Sequence, residues 1–137
     1  YNSGCYLLDA KRFKASSEDV EQRIVHDAIS EQPHRVIIER ANHSIDLIAR
    51  VHRQGRGRFQ VIEGRHGGLS KADRFISIQH KINTGQVFLA QGRSGIDLFL
   101  SELRGFPYGA HDDLVDSFTM ALQEMGKSSG KAVWHIS

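Results

Sequence analysis

The run Val36-Ile37-Ile38, closed by Glu39, admits few folds. Three consecutive β-branched residues suit a strand covered on both faces, as in a parallel sheet layered between helices. The flanking sequence supplies such helices. Ser16 and Ser17, followed by Glu18 and Asp19, read as a capped helix start. Val20, Ile24, Ala28 and Ile29 then recur at helical spacing until Pro33. A second helix is expected over 44–54, with Ile45, Ile48, Ala49 and His52 on its inner side and Gly55 as its stop. A third runs from Ser70 to about Asn83, and a fourth carries Ile96, Phe99, Leu100 and Leu103. A last helix begins near His111 and carries Leu114, Val115, Phe118, Ala121, Leu122 and Met125. Short strands are expected at 5–8, 36–38, 59–62 and 87–90. Strands alternating with helices give an α/β class with a mainly parallel sheet.

Composition narrows the class further. The chain has 137 residues, of which 39% are hydrophobic and 25% charged. Those values fit one globular domain and exclude a disordered, collagen-like or coiled-coil chain. The domain is expected over 1–126, with 127–137 as a mobile tail. No apolar run approaches the roughly 20 residues of a membrane helix, and the start does not read as a signal peptide. Cys5, the single cysteine, cannot close an intramolecular disulfide or build a multi-cysteine zinc site. A reducing compartment is therefore expected.

The formal net charge is only +2, but its distribution is uneven. Arg50, Arg53, Arg56, Arg58, Arg65, Lys71 and Arg74 are opposed locally by Glu63 and Asp73 alone. Such a block fits a surface that faces a polyanion. A solvated face with a flexible Gly/Arg loop fits it equally.

Two acidic features could carry chemistry. Glu39 stands at the end of a buried strand, where ligands of open parallel sheets gather. A helix-capping or salt-bridged glutamate is the alternative. The stretch His111-Asp112-Asp113-Leu114-Val115-Asp116 opens a helix and puts Asp112 and Asp116 on one face. A cap explains one or two of these acids but not Asp116, which lies among Leu114, Val115 and Phe118. Carboxylates aimed at a strand-end glutamate would make an oxygen-only site suited to magnesium or manganese. Two such ions can hold the attacking and leaving oxygens of a phosphodiester. Other chemistries fit poorly. Gly92-Arg93-Ser94-Gly95 lacks the lysine and spacing of a phosphate-binding loop, and Gly55, Gly57 and Gly64 do not follow a strand as a dinucleotide fingerprint would. His43, His52, His66 and His80 do not form a zinc-ligand set.

In order along the chain, four segments resemble motifs of the phage terminase large-subunit nuclease domain. Val36-Ile37-Ile38-Glu39-Arg40-Ala41-Asn42 is similar to its second acidic motif. Ser70-Lys71-Ala72-Asp73-Arg74 is similar to its Lys-x-x-Arg segment. Asn83-Thr84-Gly85-Gln86-Val87-Phe88-Leu89 resembles its Gly-x-Val strand. Phe99 to Glu102, Phe106-Pro107-Tyr108-Gly109 and His111-Asp112-Asp113-Leu114-Val115-Asp116-Ser117 resemble its closing motif. The likeness runs from about Cys5 to about Leu122.

The resemblance implies a ribonuclease H-like mixed sheet flanked by helices. It implies a metal-dependent endonuclease that cuts concatemeric double-stranded DNA during viral packaging, in the cytoplasm of a bacterial host. It makes Glu39 the second acidic ligand and Asp112 the third, with Asp113 and Asp116 assisting the metal or positioning its ligands; Glu39, Asp112 and Asp116 would be catalytic, and Glu39, Asp112, Asp113 and Asp116 would hold two magnesium or manganese ions. Arg56, Arg58, Arg65, Lys71 and Arg74 would meet DNA, with Lys71 and Arg74 holding phosphate or supporting the acidic site. The packaging ATPase domain, the small terminase subunit and the portal are the implied partners. Against the family pattern, the first strand and its aspartate are expected to be missing, since the chain opens at Tyr1. Two alternatives follow: a catalytically silent DNA-binding or assembly remnant, and another ribonuclease H-like nuclease of the junction-resolvase type.

Overall fold

A computed structural model of the chain describes residues 5–11, 16–40, 44–64, 68–109, 113–125 and 132–134. The class is α/β, and every strand pair among the described residues is parallel. The strands are β1 (Cys5–Leu7), β2 (Arg35–Glu39), β3 (Gln60–Gly64), β4 (Val87–Leu89) and β5 (Ala132–Trp134). The helices are α1 (Ser17–Glu31), α2 (Ile45–Gln54), α3 (Lys71–Asn83), α4 (Ser94–Gly105) and α5 (Asp113–Met125). The strands form two sheets, β1-β4 and β3-β2-β5, rather than the one mixed sheet expected. No described helix is long and apolar enough to cross a membrane.

The chain divides into two compact units. One joins residues 1–12 to 66–123; the other joins 13–65 to 124–137. In the second unit β2 is the middle strand. Val36, Ile37 and Ile38 are all buried, as a strand covered on both faces requires. Val36 and Ile38 pack with Val20, Ile24 and Ala28 of α1 and with Leu47 and Val51 of α2. Ser16 caps α1, its hydroxyl accepting the Asp19 N–H at 3.2 Å.

Three expectations change in this unit. The inner stripe of α2 is Leu47, Ile48 and Val51, following the buried Ser44; Ile45, Ala49 and His52 are exposed. Both sets obey helical spacing, but only the first puts branched aliphatics against β2 rather than an imidazole. Ile29 is likewise exposed. Residues 132–134, expected within the tail, form β5 and pair with Arg35–Ile37 of β2.

In the first unit β1 and β4 pair with Cys5 opposite Val87 and Leu7 opposite Leu89. These four side chains pack on a core of Ile78 from α3, Phe99 from α4, and Leu114, Val115, Phe118 and Leu122 from α5. Ser70 caps α3 by accepting the Asp73 N–H at 3.1 Å, as its sequence indicates. The start of α4 presses on the backbone that follows β1. A Cβ on Gly95 would lie 1.7 Å from the Ala10 carbonyl oxygen, so this position excludes any side chain. Gly105, at the other end of α4, has open space around it.

These two glycines give opposite expectations. Gly95→Ala should lower the unfolding free energy by about 1–3 kcal/mol, since backbone must move. Gly105→Ala should be neutral or stabilising by up to about 1 kcal/mol through helix propensity. Urea denaturation of both variants checks the pair.

Candidate functional site

The acidic residues fall in both units. In the second, Glu39 ends β2 opposite Gly64 of β3. Its backbone carbonyl accepts the Ser44 hydroxyl at 2.7 Å, which ties the end of the strand to the start of α2. The Glu39 side chain is half-buried. Among the described residues no hydrogen bond or ion pair reaches its carboxylate. The neighbouring Arg40 points away and pairs with Glu63 at 2.5 Å. Neither the capping nor the salt-bridge alternative is therefore met within the described residues. A half-buried, unpartnered carboxylate at a strand end has the donor chemistry of a hard-cation ligand.

In the first unit the acids of α5 take different roles. Asp113 is exposed on the first turn. Asp116 is 3% exposed, and its Oδ1 lies 2.9 Å from Arg74 Nη1 of α3. Arg74 is itself 5% exposed. Its Nε and Nη1 make no hydrogen bond, so the contact with Asp116 is ionic without an aligned N–H. The expectation of Asp116 as a metal ligand and of Arg74 as a DNA contact meets this geometry. Arg74 is turned inward, away from any phosphate on the surface, and Asp116 neutralises it.

Glu102 of α4 also converges on this turn. Its Oε1 accepts the N–H groups of Leu114 at 2.9 Å and Val115 at 3.4 Å. A remote carboxylate thus satisfies two of the free amides at the helix start and complements the helix dipole. Sequence reasoning did not single out Glu102. The available signal was an acid on the same helical stripe as Ile96 and Phe99. Farther along, the Thr119 hydroxyl donates to the Val115 carbonyl at 2.9 Å, which satisfies a buried polar group within α5.

The basic block divides in the same way. Arg50 Nε lies 2.5 Å from Glu21 Oε1, and the Gln54 side chain also bonds Glu21. Lys71 is half-buried and has a bonding partner. Arg53, Arg56 and Arg58 are exposed. The turn that presents the last two is stitched by Arg58 N–H and Phe59 N–H, both donating to the Gly55 carbonyl. The Phe59 ring covers Gly55 so closely that a Cβ there would lie 2.3 Å from it. The Gly/Arg segment is therefore an anchored turn. Asp112 and Arg65, expected as ligand and DNA contact, lie outside the described residues. Among the described residues no group of three or more histidine, cysteine, aspartate or glutamate side chains could hold a metal ion.

No family model, curated protein or solved structure matches the chain.

The buried pair sets a stability expectation. Asp116→Ala should cost about 3–5 kcal/mol because it leaves a buried guanidinium uncompensated. Glu102→Ala should cost about 1–3 kcal/mol through the lost amide partners. Exposed Asp113→Ala should stay within about 0.5 kcal/mol. Denaturant midpoints of the three variants test this ranking.

Proposed function

We propose that this chain is a metal-dependent DNA endonuclease domain of the terminase large-subunit type, acting on concatemeric double-stranded DNA. The observation that carries the reading is Glu39: a half-buried carboxylate at the C-terminal end of a central parallel strand, with no partner among the described residues. Its support is the order of the motif-like segments along the chain and the exposed acid at the start of α5. Glu39 has the oxygen donors that magnesium or manganese prefers, and Asp112, Asp113 and Asp116 enter this reading only through the resemblance. Bound divalent ions would supply an activated water and stabilisation of the leaving oxygen. The chain's own part is to present carboxylates, and to hold backbone phosphate through Arg56 and Arg58 with little reading of bases. The ATPase domain, small subunit and portal are the partners this reading implies, with the bacterial cytoplasm as its setting.

A second reading, a silent DNA-binding or assembly module, is favoured by one observation: Asp116 is spent on Arg74.

Nicking of supercoiled plasmid with manganese, magnesium or chelator separates the two. Manganese-dependent nicking, lost in Glu39→Ala, is the expected result. DNA binding without nicking under every metal condition would leave the silent module. Binding should also weaken with salt. Each phosphate contact contributes about 0.9 to the log–log slope, so Arg56→Ala with Arg58→Ala should flatten it by about two, whatever the DNA sequence.

A further inference from the structure

Arg35 holds the last part of the chain at two points. Its backbone, at the start of β2, pairs with Ala132 of β5. Its guanidinium Nη1 donates to the Glu124 carboxylate at 3.0 Å and to the Glu124 backbone carbonyl at 3.3 Å. The two side chains are only 7% and 15% exposed. Glu124 lies in the last turn of α5, which has no basic residue of its own. A guanidinium there satisfies a free helix carbonyl and opposes the negative end of the helix dipole. Strand β5 is three residues long and pairs with β2 alone among the described residues. Backbone pairing over so short a stretch holds weakly, so its attachment depends on how closely the chain before it is tethered to the same strand.

We infer that β5 is a detachable strap over one edge of β2, and that the Arg35–Glu124 contact is its latch. With the latch closed, the chain entering β5 starts from a point fixed on β2, which raises the local concentration of the strap at its edge. With the latch open, β5 leaves and one edge of β2 is uncovered, while the pairing of β2 with β3 stays. The backbone shows which amides report each edge. The Arg40 N–H donates to the Gly64 carbonyl of β3 at 2.9 Å. N–H groups alternate sides along a strand, so those of Ile38 and Val36 also face β3, and that of Ile37 faces β5. Ile37 stands opposite Trp134, and in that parallel register the Val133 N–H is directed back at β2. Because β2 ends at Glu39, the strap determines whether the strand that presents this carboxylate is paired on one edge or on both. Nothing in this device requires the endonuclease reading.

The test is amide hydrogen exchange on the full 137-residue chain and three variants. These are Arg35→Met, the double variant Arg35→Met/Glu124→Gln, and Val133→Pro. Val133→Pro removes a ladder N–H and leaves the latch side chains untouched, so it marks the state with the strap off. In the unaltered chain the Ile37 amide should exchange slowly, as do those of Val36 and Ile38. Arg35→Met should speed exchange at Ile37 by about tenfold or more, while Val36 and Ile38 stay within about twofold, since local opening is read residue by residue. Val133→Pro should give the same pattern. The double variant leaves neither charge buried without its partner, so it decides the matter if Arg35→Met alone does not fold. Equal acceleration at Ile37, Val36 and Ile38 would make Arg35 a general support of the unit and overturn the latch. Slow exchange at Ile37 in both Arg35 variants, with fast exchange in Val133→Pro, would show that β5 holds without the latch and overturn it too. Exchange at Ile37 as fast in the unaltered chain as in Val133→Pro would overturn the strap itself.

Discussion

A guanidinium and a carboxylate enclosed in an apolar core are costly, and the α3–α4–α5 unit is organised around making that arrangement tolerable. Arg74 and Asp116 are buried on α3 and α5, which also carry Ile78 and Phe118 of the core, and there each charge alone would be prohibitive. Together they neutralise one another, and the start of α5 sits beside a further buried acid, Glu102, whose charge the helix amides absorb. Hydrophobic packing supplies the cohesion of this unit; the charged groups specify which turn of which helix meets which neighbour. Such buried ionic contacts are weak sources of stability but strong penalties against misplacement.

The second unit relies on a different constraint. Its central strand is buried on both faces, so its backbone must find partners on both edges, and β3 and β5 provide them. Glu39 is the point where that strand leaves the apolar layer. Its carbonyl is fastened by Ser44 while its carboxylate is left to solvent or ligand. Arg53, Arg56 and Arg58 are exposed at the end of α2, whereas Arg50 is spent on Glu21. A basic stretch in the sequence thus becomes a much smaller basic surface once pairing is taken into account.

What the sequence revealed was mostly local. The serine caps at Ser16 and Ser70 were legible because cap and helix are adjacent. The buried β2 was legible from three branched residues in a row. The face of α2 was not, because two stripes obey the same period and only the tertiary neighbours choose between them. Strand β5 was not legible either; three residues after a Gly/Ser/Lys stretch carry no period to read. The same limit applies to the candidate site. Glu39 drew attention by standing at the end of an apolar run. Asp116 drew it by standing among apolar residues, but Arg74, which it meets in the structure, lies on another helix, where spacing along the chain cannot show it.

The two units are interleaved along the chain: the first is interrupted by the second, and the second is completed by residues that follow the first. Pairing Cys5 with Val87, and Arg35 with Ala132, makes both sheets depend on contacts distant in sequence. During synthesis β1 must wait for β4, and β2 must wait for β5 before its second edge is paired. Assembly of this kind is slow relative to helix formation, and it exposes strand edges in the interval. It also means that no single cut in the polypeptide releases either unit intact, so the two are inseparable as gene fragments even though each has a core of its own.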